Sequence, residues 1–201
     1  MEAPVRIMGV DLSISCTGIS LPSAETMAIK PRTKGDLRLT EVGNHVQVAA
    51  QASRAELVVI EGLGGIYKGE SARIIPMLHG VIRDRLQTVK IPFMLLLPAS
   101  LKKFATGNGA ADKDEMAKAA WRRLGRQYLT HDECDADWLR VAGRMAYGLG
   151  ELTEYGSGDW LRLPPSQLRA LRENKDHEEI VWPVVASGGT THRPWPKIAL
   201  R

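Results

Sequence analysis

The chain has 201 residues, 44% of them hydrophobic and 25% charged, which predicts one compact domain with room for a tail and excludes fibrous and disordered classes. Its formal charge of +4 permits a polyanionic partner without demanding one. No apolar run approaches the ~18–20 residues that cross a bilayer, so the expectation is a cytoplasmic protein without membrane association.

Val5 to Val10 is apolar except for Arg6 and reads as a strand, with Asp11 where it gives out. Thr17 to Leu21 and Thr26 to Ile29 continue as strands around the turn residues Pro22 and Ser23, a hairpin-like opening. Asp36 to Ala52 has helical spacing through Leu37, Val42, Val46 and Ala49, and Glu56 to Glu61 follows as a central strand ending in an acid. Gly62 to Gly69 is a glycine-rich loop, Ser71 to Val89 a helix, and Ile91 to Leu97 a strand closed by Pro98. Pro98 to Ala105 reads as a short helix, and Lys113 to Leu124 as a charged amphipathic one. Thr130 and Glu133 form the S/T-x-x-E pattern that opens a helix, which is predicted to run from about His131 to about Leu152.

This order predicts an α/β fold: a mixed central sheet, with an antiparallel opening meander and then parallel strands, flanked by helices. Residues 1–155 would form that domain. Residues 156–201, with Pro164, Pro165 and a helical stretch Ser166 to Asn174, would form an appendage. Cys16 and Cys134, without partners at zinc-ligand spacing, indicate neither a disulfide framework nor a zinc site.

Asp11 and Glu61 each end an apolar strand. If the strands are neighbours, two carboxylates meet, and their repulsion at close range is most simply offset by a divalent cation. The segment His131-Asp132-Glu133-Cys134-Asp135-Ala136-Asp137 adds four acids at the start of a helix. Capping and the helix dipole account for some of these but not for all four. The apolar stripe runs through Trp138, Ala142, Met145 and Leu149. At ~100° per residue Asp135 falls about 60° from Trp138 and Asp137 about 100° away on the other side. Asp135 is therefore expected to lean toward the buried face with Asp132 beside it, while Asp137 with Glu133 is the competing pair.

A strand ending GVD, a later strand ending IEG and a helix opening HDxxDA resemble the RuvC family of Holliday junction resolvases, of the RNase H-like superfamily. Lys102 and the stretch Thr106-Gly-Asn-Gly-Ala-Ala-Asp-Lys113 extend the resemblance, which covers roughly residues 5 to 150. It implies a structure-selective endonuclease acting on four-way junctions and other branched DNA, and a homodimer with two Mg²⁺ ions per site, for which Mn²⁺ can substitute. Asp11, Glu61, Asp132 and Asp135 would be the metal-binding and catalytic acids. Lys102 and Lys113 would hold the phosphate backbone, and Tyr67 and Lys68 would meet bases at the junction. The short, divergent form looks phage-encoded, which would put it in the host cytoplasm. Trp160, Trp182, Trp195 and Arg193 in the appendage would serve subunit packing or DNA contact.

The alternative within the same fold is a catalytically silent junction-binding protein or an RNA-processing nuclease. GVDLSISCTGIS also resembles the phosphate-binding opening of actin-like sugar kinases, but those need two such domains and about twice this length.

Overall fold

A computed structural model of the chain describes residues 5–64, 69–149, 164–172 and 182–194. Strands β1 (Ile7–Asp11), β2 (Thr17–Ser20) and β3 (Thr26–Ile29) form the antiparallel meander. Helix α1 (Asp36–Ala52) then leads to β4 (Leu57–Glu61), which pairs parallel with β1, and α2 (Glu70–Thr88) leads to β5 (Phe93–Leu96), parallel with β4. The sheet order is β3-β2-β1-β4-β5. Helices α3 (Pro98–Thr106), α4 (Lys113–Leu124) and α5 (His131–Ala146) follow. The predicted mixed sheet flanked by helices is thus the observed one.

Strand side chains alternate between the two faces of a sheet, and here each face buries its own cluster. Met8, Val10, Val58 and Ile60 pack with Val42, Val46, Leu78 and Ile82 of α1 and α2. Ile7, Leu57, Val59, Met94 and Leu96 pack on the other face with α3, α4 and α5. Asp11 and Glu61 continue the second set, so both carboxyls belong to the α5 face.

Helix α5 lies against β1 and β2 without a side-chain layer between. A Cβ on Gly9 would stand 2.0 Å from the Ala136 carbonyl oxygen, and one on Gly18 would stand 2.0 Å from that of Asp132. At the other end of the helix, a Cβ on Gly143 would meet Ile7 and Val59 at 2.7 and 2.9 Å. These contacts orient α5 so that its first turn lies over the end of β1, where Gly18 pairs with Asp11.

The helix starts at the predicted capping box: Thr130 accepts from the Glu133 N–H at 3.1 Å, and the Glu133 carboxylate accepts from the Thr130 N–H at 2.9 Å. It ends six residues earlier than the periodicity suggests. Gly148 takes φ 70°, and the N–H groups of Gly148 and Leu149 bond the carbonyls of Met145 and Arg144, the arrangement that closes a helix on a left-handed glycine.

Within 156–201, α6 (Pro165–Arg172) packs on α3, and β6 (Val185–Ser187) and β7 (Thr190–His192) form a hairpin whose Gly188-Gly189 turn has positive φ at both positions. Trp182 corrects the expectation that the appendage tryptophans face a partner. It is 5% exposed, stacks edge-on against Tyr147 at 6.2 Å and donates to the Leu171 carbonyl. Trp160 and Trp195 lie outside the described residues.

Candidate active site

The register Val10↔Ile60 makes Asp11 and Glu61 neighbours at the C-terminal ends of adjacent parallel strands. Their carboxyls lie within hydrogen-bonding reach of each other. Burial, and then the Glu61 and Asp135 carboxylates, push the Asp11 carboxyl well above the ordinary range. Glu61 is raised to about 7 by burial and by the Asp135 charge, against the opposing pull of Lys102. Asp135 is raised to about 6 by burial, with Asp132 adding to the rise and Lys113 and Lys102 opposing it. Four acids from β1, β4 and α5 thus share one electrostatic field, and Lys102 of α3 and Lys113 of α4 act on it.

The four acids of the α5 opening divide in two. Glu133 is 5% exposed and occupied by the capping box. Asp137 is fully buried and saturated: it accepts from Ser20 Oγ at 2.7 Å, Tyr128 OH at 2.7 Å and Arg140 Nε at 2.8 Å, with Arg126 at 3.5 Å. Asp132 and Asp135 are half-buried and adjoin Asp11 and Glu61. The expectation that Asp135 is the more buried of the alternatives is therefore reversed. Residues 136–143 are buried all round, because α5 is enclosed by the sheet, α3 and α4, and no single apolar stripe defines its inner side.

An all-oxygen set of mutually repelling acids suits a hard divalent cation. Among the described residues, no three acidic, histidine or cysteine side chains already form a closed ligand set around one point. The acids converge as a cluster rather than as a finished cage. Residue-type reasoning passed over two neighbours of this cluster. Cys16, in the β1–β2 connection, hydrogen-bonds Asp132, and its thiol is pushed up to about 11 by burial and that bond. His131 acts on Asp135. Neither had a spacing signal that could have marked it. Tyr67 and Lys68 lie outside the described residues.

No family model matches the chain. It is 26% identical over 149 residues to the crossover junction endodeoxyribonuclease RuvC of Synechococcus sp. (strain WH7803), across 69% of this chain and 96% of that relative. The protein of the same name from Syntrophomonas wolfei is 26% identical over 150 residues, covering 69% of this chain and 86% of the relative. RuvC of Thermus thermophilus superposes with a TM-score of 0.56 at 19% identity, over 68% of this chain and 91% of that one. The same protein in complex with a Holliday junction substrate gives 0.57 at 19% identity, with the same coverage.

The topology, with acids at adjacent strand ends, defines a protein of the mixed α/β class, with the fold that RuvC of Thermus thermophilus shows. Within that class, the chain is RuvC-like. Among the described residues, no helix is long and apolar enough to cross a membrane.

Proposed function

We propose that the chain is a structure-selective endonuclease that resolves four-way DNA junctions and related branched DNA. The observation that carries this reading is the gathering of Asp11, Glu61, Asp132 and Asp135 from β1, β4 and α5 into one electrostatic field, in which the carboxyls of Asp11, Glu61 and Asp135 are raised by burial and by neighbouring acids. Those four would hold Mg²⁺, two ions per site, with Mn²⁺ as a substitute. When bound, such ions lower the proton affinity of a water and stabilise charge on a scissile phosphate.

The chain's own residues account for the rest. The Asp11 carboxyl, whose proton affinity burial and the Glu61 charge raise, would act as a ligand in its ionised form. Lys102 and Lys113, whose charges already act on Glu61 and Asp135, would receive the phosphates flanking the cut, which leaves 5′-phosphate and 3′-hydroxyl ends. Glu133 and Asp137 hold the helix rather than the substrate, which supports Asp132 and Asp135 as the working pair. Residues 1–155 would carry the chemistry and 156–201 would brace it. Tyr67 and Lys68 would meet bases at the branch point, and a homodimer would present two sites for paired cuts.

The test is cleavage of a labelled synthetic four-way junction with Mg²⁺ or Mn²⁺, beside linear duplex and beside Asp11→Asn. Paired symmetric nicks that the variant loses are expected. Junction binding without metal-dependent cutting would instead favour a silent junction-binding protein, and cutting confined to RNA an RNA-processing nuclease.

A further inference from the structure

A cavity of about 620 Å³ opens between α4, the connection 125–130 and the first turn of α5. Its wall carries Lys118, Arg122, Arg126 and His131 and no Asp or Glu. Arg126 is turned inward to the Ala24 carbonyl and Asp137, whereas Lys118, Arg122 and His131 are exposed. Between them Trp121 is 57% exposed and Leu129 96% exposed. A flat indole flanked by cations, with no acid in the wall, has the chemistry of a single-stranded nucleic acid site: phosphates meet the charges and a base meets the ring.

The groove borders the candidate active site at the first turn of α5, where its wall residues His131 and Cys134 flank Asp132 and precede Asp135, and His131 acts on Asp135. On α4, Lys118 and Arg122 are four residues apart and share one face.

We propose that this groove receives the DNA strand leaving the active site, with Trp121 stacked on an unpaired base and Lys118 and Arg122 on its phosphates. The proposal rests on the nuclease reading above and adds where its substrate runs.

The test measures binding rather than cutting. A labelled four-way junction is titrated with the full chain in the absence of divalent cations, over about 50–200 mM salt. The proteins compared are wild type, Trp121→Ala, Trp121→Phe and the double variant Lys118→Ala/Arg122→Ala. Trp121→Ala is expected to weaken binding on the order of tenfold and Trp121→Phe to restore most of it. The double variant is expected to flatten the dependence of log affinity on log salt by roughly two. These side chains are exposed, so unchanged melting curves would establish that the fold is intact.

Wild-type affinity in Trp121→Ala together with an unchanged salt slope would overturn the groove while leaving the nuclease reading to its own Asp11→Asn experiment. Tryptophan-dependent binding without metal-dependent cutting would uphold the groove and remove the nuclease. A wild-type chain that binds no nucleic acid would overturn both. Fluorescence quenching by an acidic peptide, lost in Trp121→Ala and absent with DNA, would assign the groove to a protein.

Discussion

At the scale of single residues, the acids near the start of α5 do two different jobs, and substitution separates them. Asp137 is fully buried against Arg140, with Ser20 and Tyr128 completing its shell. Asp137→Ala removes the carboxylate that faces a fully buried guanidinium and is expected to cost about 3–5 kcal/mol of stability, read by denaturant unfolding. Asp135→Asn removes a charge from a crowded acidic field. It should leave the metal-free protein as stable or more stable while abolishing junction cleavage. The same crowding gives metal-free stability a pH dependence. Glu61 titrates near 7 and Asp135 near 6 when folded, above the roughly 4 of free carboxyls. Between those values the folded state binds more protons than the unfolded one, so the stability these acids contribute is full below about pH 4 and is lost as pH rises through 6 and 7. Thermal melting of metal-free protein from pH 4.5 to 8 should show that decline, and Asp11→Asn should flatten it. A melting temperature that rises across the window would contradict the cluster.

At the scale of elements, the site depends on how closely α5 approaches the sheet. Gly18 lets the Asp132 carbonyl sit where a Cβ would be, and the obstacle is backbone, which cannot swing aside. Gly18→Ala must therefore lift the first turn of α5 and carry Asp132 and Asp135 away from Asp11 and Glu61. The expected cost is about 1–3 kcal/mol or more, with cleavage lost out of proportion to stability; a variant that cuts normally would show that the approach is dispensable. That contact could not be foreseen, because a lone glycine in TGIS carries no sign of what crosses it. Local features were legible. The period-2 and 3.6 patterns locate β3, α1 and α4 at their observed bounds, and apolar runs ending in acids located Asp11 and Glu61 at the C-terminal ends of central strands. The end of α5 was missed because the left-handed turn at Gly148 outweighs an apolar periodicity that continues to Leu149. The buried Asp137 was missed because amphipathic reasoning assumes one wet face, and enclosure on every side is a tertiary fact.

At the scale of the whole molecule, the C-terminal segment is part of the core that supports the site. Leu171, Trp182 and Val185 belong to the same buried cluster as Phe104, Trp138 and Tyr147. Gln167 of α6, 2% exposed, accepts from Arg123 of α4 at 3.2 Å and lies against Gly107, where α3 ends with φ 91°. Helices α3 and α4 carry Lys102 and Lys113, so the segment fixes where those two cations stand relative to the acids. Trp182→Ala would empty the space beside Tyr147 and leave the Leu171 carbonyl without its indole donor, a loss of about 3–5 kcal/mol, or roughly 6–20 °C in a chain of this size. The consequence for cleavage follows from position rather than chemistry. With α3 and α4 less firmly held, Lys102 and Lys113 meet the phosphates less well, so the variant should bind junction DNA more weakly below its melting transition while the acids still turn over what is bound. A KM raised with kcat nearly kept is the expected result. A fall in kcat with KM unchanged would mean that the segment acts on the acids themselves.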